Sequence, residues 1–197
     1  MGHITPLDRS ELSEFELVFE LTEAAMGFVP RSMYTMGRNP ALLKAFAQLA
    51  GTVLGPGRVD GGLKQLVAHV ASTAAGCRYC QAHTASSATR NGVDADKVEA
   101  VWSFESDERY SDAERAALRL ARDAGTVPNA TTAEHFSDLR EHFDDGQIVD
   151  LVAVISLFGW LNRWNDTMAT DLEEEPLGFG RDHLAAQGWD PGKHAHV

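Results

Sequence analysis

Apolar residues along this chain recur at helical spacing and do not alternate over any sustained stretch. Between Ser13 and Ala25, the positions Phe15, Leu17, Val18, Leu21 and Ala25 repeat close to every 3.6 residues. That pattern predicts a helix, broken afterwards by Gly27 and Pro30. Asn39-Pro40 opens another, because an Asn side chain caps free amides and proline is tolerated at the first helical position. Leu42, Leu43, Phe46 and Leu49 continue it as far as Gly55-Pro-Gly57. Over residues 60–75, Leu63, Leu66, Val67, Val70 and Ala74 form one stripe, and Gln65, His69 and Ser72 fall on the opposite side, clear of the core. Gly76 then punctuates, and a short helix is expected from near Cys77 to the stop signal Asn91-Gly92.

Asp94 is placed to cap a helix through Trp102. Ser111-Asp-Ala-Glu114 and Thr131-Thr-Ala-Glu134 have the spacing of a reciprocal cap, so a helix should follow each. Asp144-Asp-Gly-Gln147 opens a long apolar helix through Trp164. The expected fold is therefore all-α, with one helical domain over residues 1–170. Past Asp171 the composition turns acidic and then Gly-containing, which predicts an irregular C-terminal arm over residues 171–197, packed on a neighbouring subunit.

Bulk composition narrows the partners. The 197 residues are 44% hydrophobic and 23% charged, sufficient for a real core. A formal net charge of -12 excludes a phosphate-reading surface and disfavours anionic membrane, so neither nucleic acid nor membrane is expected as a partner. The most apolar stretch, Ile148 to Trp164, is interrupted by Asp150, Asn162 and Arg163, and it reads as a buried helix rather than a span. The N-terminal residues lack the basic and apolar regions of a secretory signal, which points to a cytoplasmic protein. Two cysteines close together do not make a disulfide scaffold; a lone C-x-x-C in such a chain suggests redox or metal chemistry.

That chemistry concentrates in Cys77-Arg-Tyr-Cys80-Gln-Ala-His83. At a helix start, Cys77 and Cys80 stand about one turn apart, within reach of a disulfide. Open amides there favour thiolate over thiol. His83, three residues past Cys80, is expected to take its proton or pair with its thiolate. The arrangement suits peroxide reduction or thiol–disulfide exchange: Cys80 attacks a peroxide oxygen, Cys77 condenses with the sulfenic acid, and an external dithiol restores both. Two readings compete with this one. The cysteines can be inert core residues, or a zinc site can draw on Cys77, Cys80, His83 and His69.

The same stretch, with Gly76 ahead of the first cysteine, resembles the alkylhydroperoxidase D-like branch of the carboxymuconolactone decarboxylase family. The resemblance extends to Phe28-Val-Pro-Arg31, Asn39-Pro-Ala-Leu-Leu43, Leu151-Val-Ala-Val-Ile155 and Asn162-Arg-Trp-Asn165, and so covers most of the chain. It implies an all-helical bundle assembled as a trimer or hexamer, and peroxidase activity on a small hydroperoxide with a dithiol reductant. No metal or organic cofactor is implied. Two positions depart from the family pattern. The histidine usually stands where Thr84 is, one residue after His83, and the usual glutamate of the proton relay is replaced by Gln65, which does not titrate. His69, one turn after Gln65, is then expected to take over the relay through a water. These departures also leave open a family member that has lost catalysis.

Other candidates carry less. His135 and His142 are expected on one helix as solvated groups, and His183, His194 and His196 in a peripheral tail. Asn162, Arg163 and Asn165 end a buried helix, where Arg163 suits pairing across an interface. Trp160 and Trp164 suit core or interface packing. Tyr79, Trp102 and Phe104 are the aromatic candidates for walls of a thiol pocket.

Overall fold

The structure, a computed structural model, describes residues 2–195. It is all-α as expected, with no strand among the described residues. Its axis is helix α4 (Gly61–Ala74), which packs against α5 (Arg78–Arg90), α7 (Asp112–Ala124) and α9 (Asp145–Met168). Asp60 starts α4 by accepting from the amides of Gly62 and Leu63 at 2.8 and 3.2 Å. Every residue from Leu66 to Ser72 is buried. The expectation that His69 and Ser72 lie clear of the core is therefore overturned. A one-sided stripe presumes one wet face, whereas neighbours surround α4, and its small residues Ala68 and Ala71 let them approach. Gly125, at the end of α7, sits so near α4 that a Cβ there would come within 2.8 Å of the Ala71 carbonyl oxygen.

The outer helices follow the predicted signals with shifts at their ends. A 3-10 turn over Arg9–Phe15 leads into α1 (Glu16–Met26), so the first helix begins later than its apolar pattern. Helix α2 (Arg31–Met36) follows Pro30, and Asn39 caps α3 (Pro40–Leu54) by accepting from the Leu42 amide. Helix α6 (Ala95–Glu99) stops short of Trp102, and Val101–Ser103 form a 3-10 turn. Ser111 and Glu114 make the expected reciprocal cap on α7. On α8 (Ala133–Arg140) the cap is Thr132 with His135, one residue later than expected. Asp144 and Gln147 cap α9, which continues past Trp164 to Met168 and ends at Ala169, with φ of 48°.

The C-terminal segment differs most from its expectation. Helix α10 (Glu174–Phe179) and a π turn over Gly180–Leu184 fold back onto α5 of the same chain. The Leu172 amide donates to the His194 carbonyl at 2.9 Å, and the Trp189 indole donates to the Arg78 carbonyl at 3.1 Å. Gly180 makes room for that indole: a Cβ at 180 would lie 2.6 Å from the Trp189 ring. Residues 171–195 are thus short helical turns with a buried inner face, not an irregular arm. Turns this short show no periodicity to read in advance. His196 lies outside the described residues. No helix among the described residues is long and apolar enough to cross a membrane.

Candidate active site

Gly76, with φ of 78°, turns the chain sharply between α4 and α5. The turn leaves Cys77 as the N-cap of α5 in an extended conformation, one turn ahead of Cys80. Both cysteines are free thiols, only 1% and 2% exposed. The Cys80 thiol bonds to the Cys77 sulfur, and this bond brings Cys77 below its ordinary value. No full-length cap hydrogen bond forms at Cys77, yet the amides of Tyr79 and Cys80 at the open turn also favour charge on its sulfur. Burial, and then the same sulfur contact, push Cys80 well above its ordinary value. Of the two thiols, Cys77 is therefore the more acidic. The expectation had placed the thiolate on Cys80, and the directions of the two shifts favour Cys77 instead. The Asn165 amide, from α9, donates to the Cys80 sulfur at 3.5 Å.

His83 was expected to address Cys80. Its Nε2 instead lies 2.6 Å from the Glu173 carboxylate, a residue of the C-terminal segment. The Tyr79 hydroxyl donates to the other oxygen of Glu173 at 2.9 Å, and the Arg31 amide donates to that same oxygen at 2.6 Å. The His83 ring stacks on Tyr79 at 4.1 Å between centroids and meets the edge of Phe28 at 5.3 Å. Burial works to raise the Glu173 value, but attraction to His83 and the donated bonds outweigh it, and the net shift is downward. Burial and the Glu173 charge push Tyr79 well above its ordinary value, so its hydroxyl keeps its proton.

His69 and Gln65 do not join this network. His69 is buried on α4 with Nδ1 3.1 Å from the Gln81 carbonyl oxygen and 3.2 Å from the Thr84 hydroxyl. Facing a carbonyl, that nitrogen is the protonated one. Burial pushes the His69 value down to about 4, which leaves the ring neutral near pH 7. These bonds lead to a main-chain carbonyl and a hydroxyl rather than toward His83 or a sulfur, so they do not trace the expected relay. Gln65 is half-buried one turn earlier. The four ligands of the zinc reading are not assembled, and no metal-holding group of His, Cys, Asp or Glu occurs among the described residues.

The remaining candidates separate by environment. Tyr79 walls the site, but Trp102 is exposed on its turn, and Phe104 lies beneath the Arg122 guanidinium. His135 is bound to Asp123 at 2.8 Å, whereas His142 lies exposed beyond the end of α8, so the two do not share a helix face. His183 pairs with Glu99 at 2.5 Å. His194 is buried, with Nδ1 2.8 Å from the Thr170 carbonyl oxygen, and is not peripheral. Arg163 is exposed on α9. Trp160 and Trp164 stack on each other at 5.2 Å. Glu173 is the residue sequence reasoning missed. Its only signal was an acidic run, Glu173-Glu-Glu-Pro176, at a point where the chain re-enters helix, and nothing in that run says which carboxylate turns inward.

A helical fold centred on a buried cysteine pair, with a carboxylate-bound imidazole one turn further on, defines the class. Residues 40–123 match the model of the carboxymuconolactone decarboxylase family, and the chain belongs to that family. A variant of the debrominase Bmp8, solved in complex with 2,3,4-tribromopyrrole, is 34% identical and has a TM-score of 0.87. That likeness covers 92% of this chain and 99% of the other. Apo Bmp8 is 37% identical with a TM-score of 0.85, over 90% of this chain and 95% of the other. A peroxidase-related protein from Ralstonia eutropha JMP134 with an alkylhydroperoxidase AhpD core shares the fold at 21% identity. Its TM-score is 0.79, over 91% of this chain and 96% of the other. YdfG of Bacillus subtilis strain 168 is 30% identical over 91 residues, 46% of this chain; the match spans 60% of YdfG.

Proposed function

We propose that this protein is a dithiol-dependent reductase, in which Cys77 and Cys80 together deliver two electrons to a small electrophile and close to a disulfide. The observation that carries the reading is the sulfur-to-sulfur hydrogen bond at the opening of α5, which draws Cys77 below its ordinary value and helps to push Cys80 above it. Cys77 is then the attacking sulfur and Cys80 the resolving one. Likeness to Bmp8 along nine-tenths of the chain favours a halogenated arene as the electrophile.

The Cys77 thiolate attacks the halogen, the carbon–halogen bond breaks, and the carbon takes a proton, giving the arene and a sulfenyl halide. The Cys80 thiol displaces halide from that sulfur, forming the disulfide and releasing a proton. An external dithiol then returns both thiols. Hydroperoxide is the second reading, favoured by the peroxidase-related protein that shares this fold. The Cys77 thiolate would attack one peroxide oxygen, releasing alcohol or water, and Cys80 would condense with the resulting sulfenic acid, releasing water.

Incubation of the reduced protein with one equivalent of a bromopyrrole, or of a hydroperoxide, separates the readings. Loss of both thiols together with bromide release supports the halide reading; loss of both only with hydroperoxide supports the second. Thiols that persist with both reagents overturn the proposal. Cys77→Ser should abolish substrate consumption. Cys80→Ser should permit at most one turnover and leave Cys77 modified. The multimer expected from family resemblance is part of the same proposal, and sedimentation of the intact chain tests it.

A further inference from the structure

Glu173 is a carboxylate only 9% exposed, yet both its oxygens are bound. One faces His83 Nε2, and the other accepts from the Tyr79 hydroxyl and the Arg31 amide. A buried carboxylate without such donors would be strongly disfavoured as an anion. The donors come from two separate elements, α5 and the first turn of α2, where helix amides have no internal partner. With three donors on two oxygens the carboxylate has little freedom to rotate. The geometry fixes the Nε2 side of the His83 ring.

We propose that Glu173 is the positioning residue of the proton donor at this site: it holds Nε2 of His83 protonated, so that Nδ1 exchanges the proton that the reaction consumes. The inference deepens the dithiol reading and rests on it for the identity of the reaction. In that cycle, His83 as imidazolium gives its Nδ1 proton to the atom that leaves the attacked halogen or oxygen. The ring stays neutral against Glu173 until the proton released by Cys80, as the disulfide forms, recharges it. The carboxylate arrives only when the C-terminal segment is docked on α5. Docking of that segment and assembly of the proton donor are therefore the same event.

The other titratable or charged groups of the site are Tyr79, stacked on His83, the thiols Cys77 and Cys80 on α5, Asp166 of α9, whose charge reaches both sulfurs, and His194 of the C-terminal segment, which faces Tyr79. Among the described residues, Glu173 is the carboxylate that bonds the imidazole. The test uses the full-length chain and its Glu173→Gln variant, which keeps the side-chain shape. Nitrogen-15 NMR of the histidine rings reads the protonation of His83 across pH without any substrate. The expected result is a neutral ring held as the Nε2-protonated tautomer in wild type and a mixture of the two tautomers in Glu173→Gln. Substrate reduction should fall about tenfold in the same variant. Glu175→Gln, a change in the neighbouring carboxylate that binds Arg90 at the surface, should move neither readout. Identical His83 signals in wild type and Glu173→Gln overturn the proposal. The NMR outcome is independent of turnover, so a wild-type protein that reduces nothing would sink the dithiol reading and leave this inference to be judged on the ring signals. Where Glu173→Ala fails to fold, the glutamine variant still decides.

Discussion

Two buried histidines, His69 on the central helix and His83 on α5, sit in environments that look alike by burial and differ in everything else. His69 is surrounded by the core, its one described polar face closed by a carbonyl and a hydroxyl. Nothing there rewards a positive charge, and burial depresses its value to about 4. His83 has the Glu173 carboxylate at 2.6 Å and a tyrosine stacked on its face. An imidazole enclosed in the core becomes inert, whereas one given a fixed carboxylate can hold and pass a proton. A histidine near a cysteine pair in sequence is not thereby its base; under the proposal above, the partner carboxylate separates the proton-handling ring from the packed one.

The sharpest way to break this comparison is to remove each ring in turn. His83→Ala should slow substrate reduction by about a hundred- to ten-thousandfold with the helical signal intact, the usual range for loss of a general acid. His69→Leu should leave turnover per folded molecule unchanged. Equal losses in the two variants would erase the distinction.

Acid unfolding sharpens it next. The His69 value in the folded protein lies below its ordinary 6.5, so the unfolded chain binds more protons between pH 6.5 and about 4. Stability from this group is complete above pH 6.5 and is lost as pH falls toward 4, a change on the order of 3 kcal/mol. Denaturant melts across that range should show the loss in wild type and not in His69→Leu. Glu173 works at still lower pH, because its folded value is depressed; its contribution is present above the ordinary carboxylate range and disappears on further acidification. An acid profile of the same steepness in wild type and His69→Leu would place the sensitivity elsewhere.

The smallest effect belongs to the outer fastening of the C-terminal segment. Arg90 and Glu175 pair at 2.7 Å, but their side chains are 40% and 41% exposed. Arg90→Ala should change stability by less than about 1 kcal/mol and leave the His83 ring signals in place. Detachment of the segment in that variant, read as a change in Trp189 fluorescence, would show that the surface pair outweighs the buried Glu173 cluster.

The reading of elements from sequence went furthest where a local rule sufficed. Asn39, Asp60, Ser111 and Asp144 each cap the helix their spacing announced, because a cap involves residues within one turn of each other. The cysteine pair at a helix start was legible for the same reason: three residues of spacing and one glycine decide it. Where the contact partner is remote, the pattern was silent. The side chains buried on the back of α4 depend on α5, α7 and α9 closing around it, and Thr132 replaced Thr131 as the cap by a shift of one residue that spacing alone does not resolve.

By itself, then, the sequence determined an all-helical chain, the order of its principal helices, and two thiols one turn apart at the mouth of α5, since each depends on neighbours along the backbone. Folding alone sets which thiol is the more acidic, encloses His69 in the core, and brings a carboxylate from ninety positions away onto His83. The reason is physical: the state of an ionisable group is set by desolvation and by charges a few ångströms distant, and only folding brings Glu173, Arg31 and Asn165 to that distance.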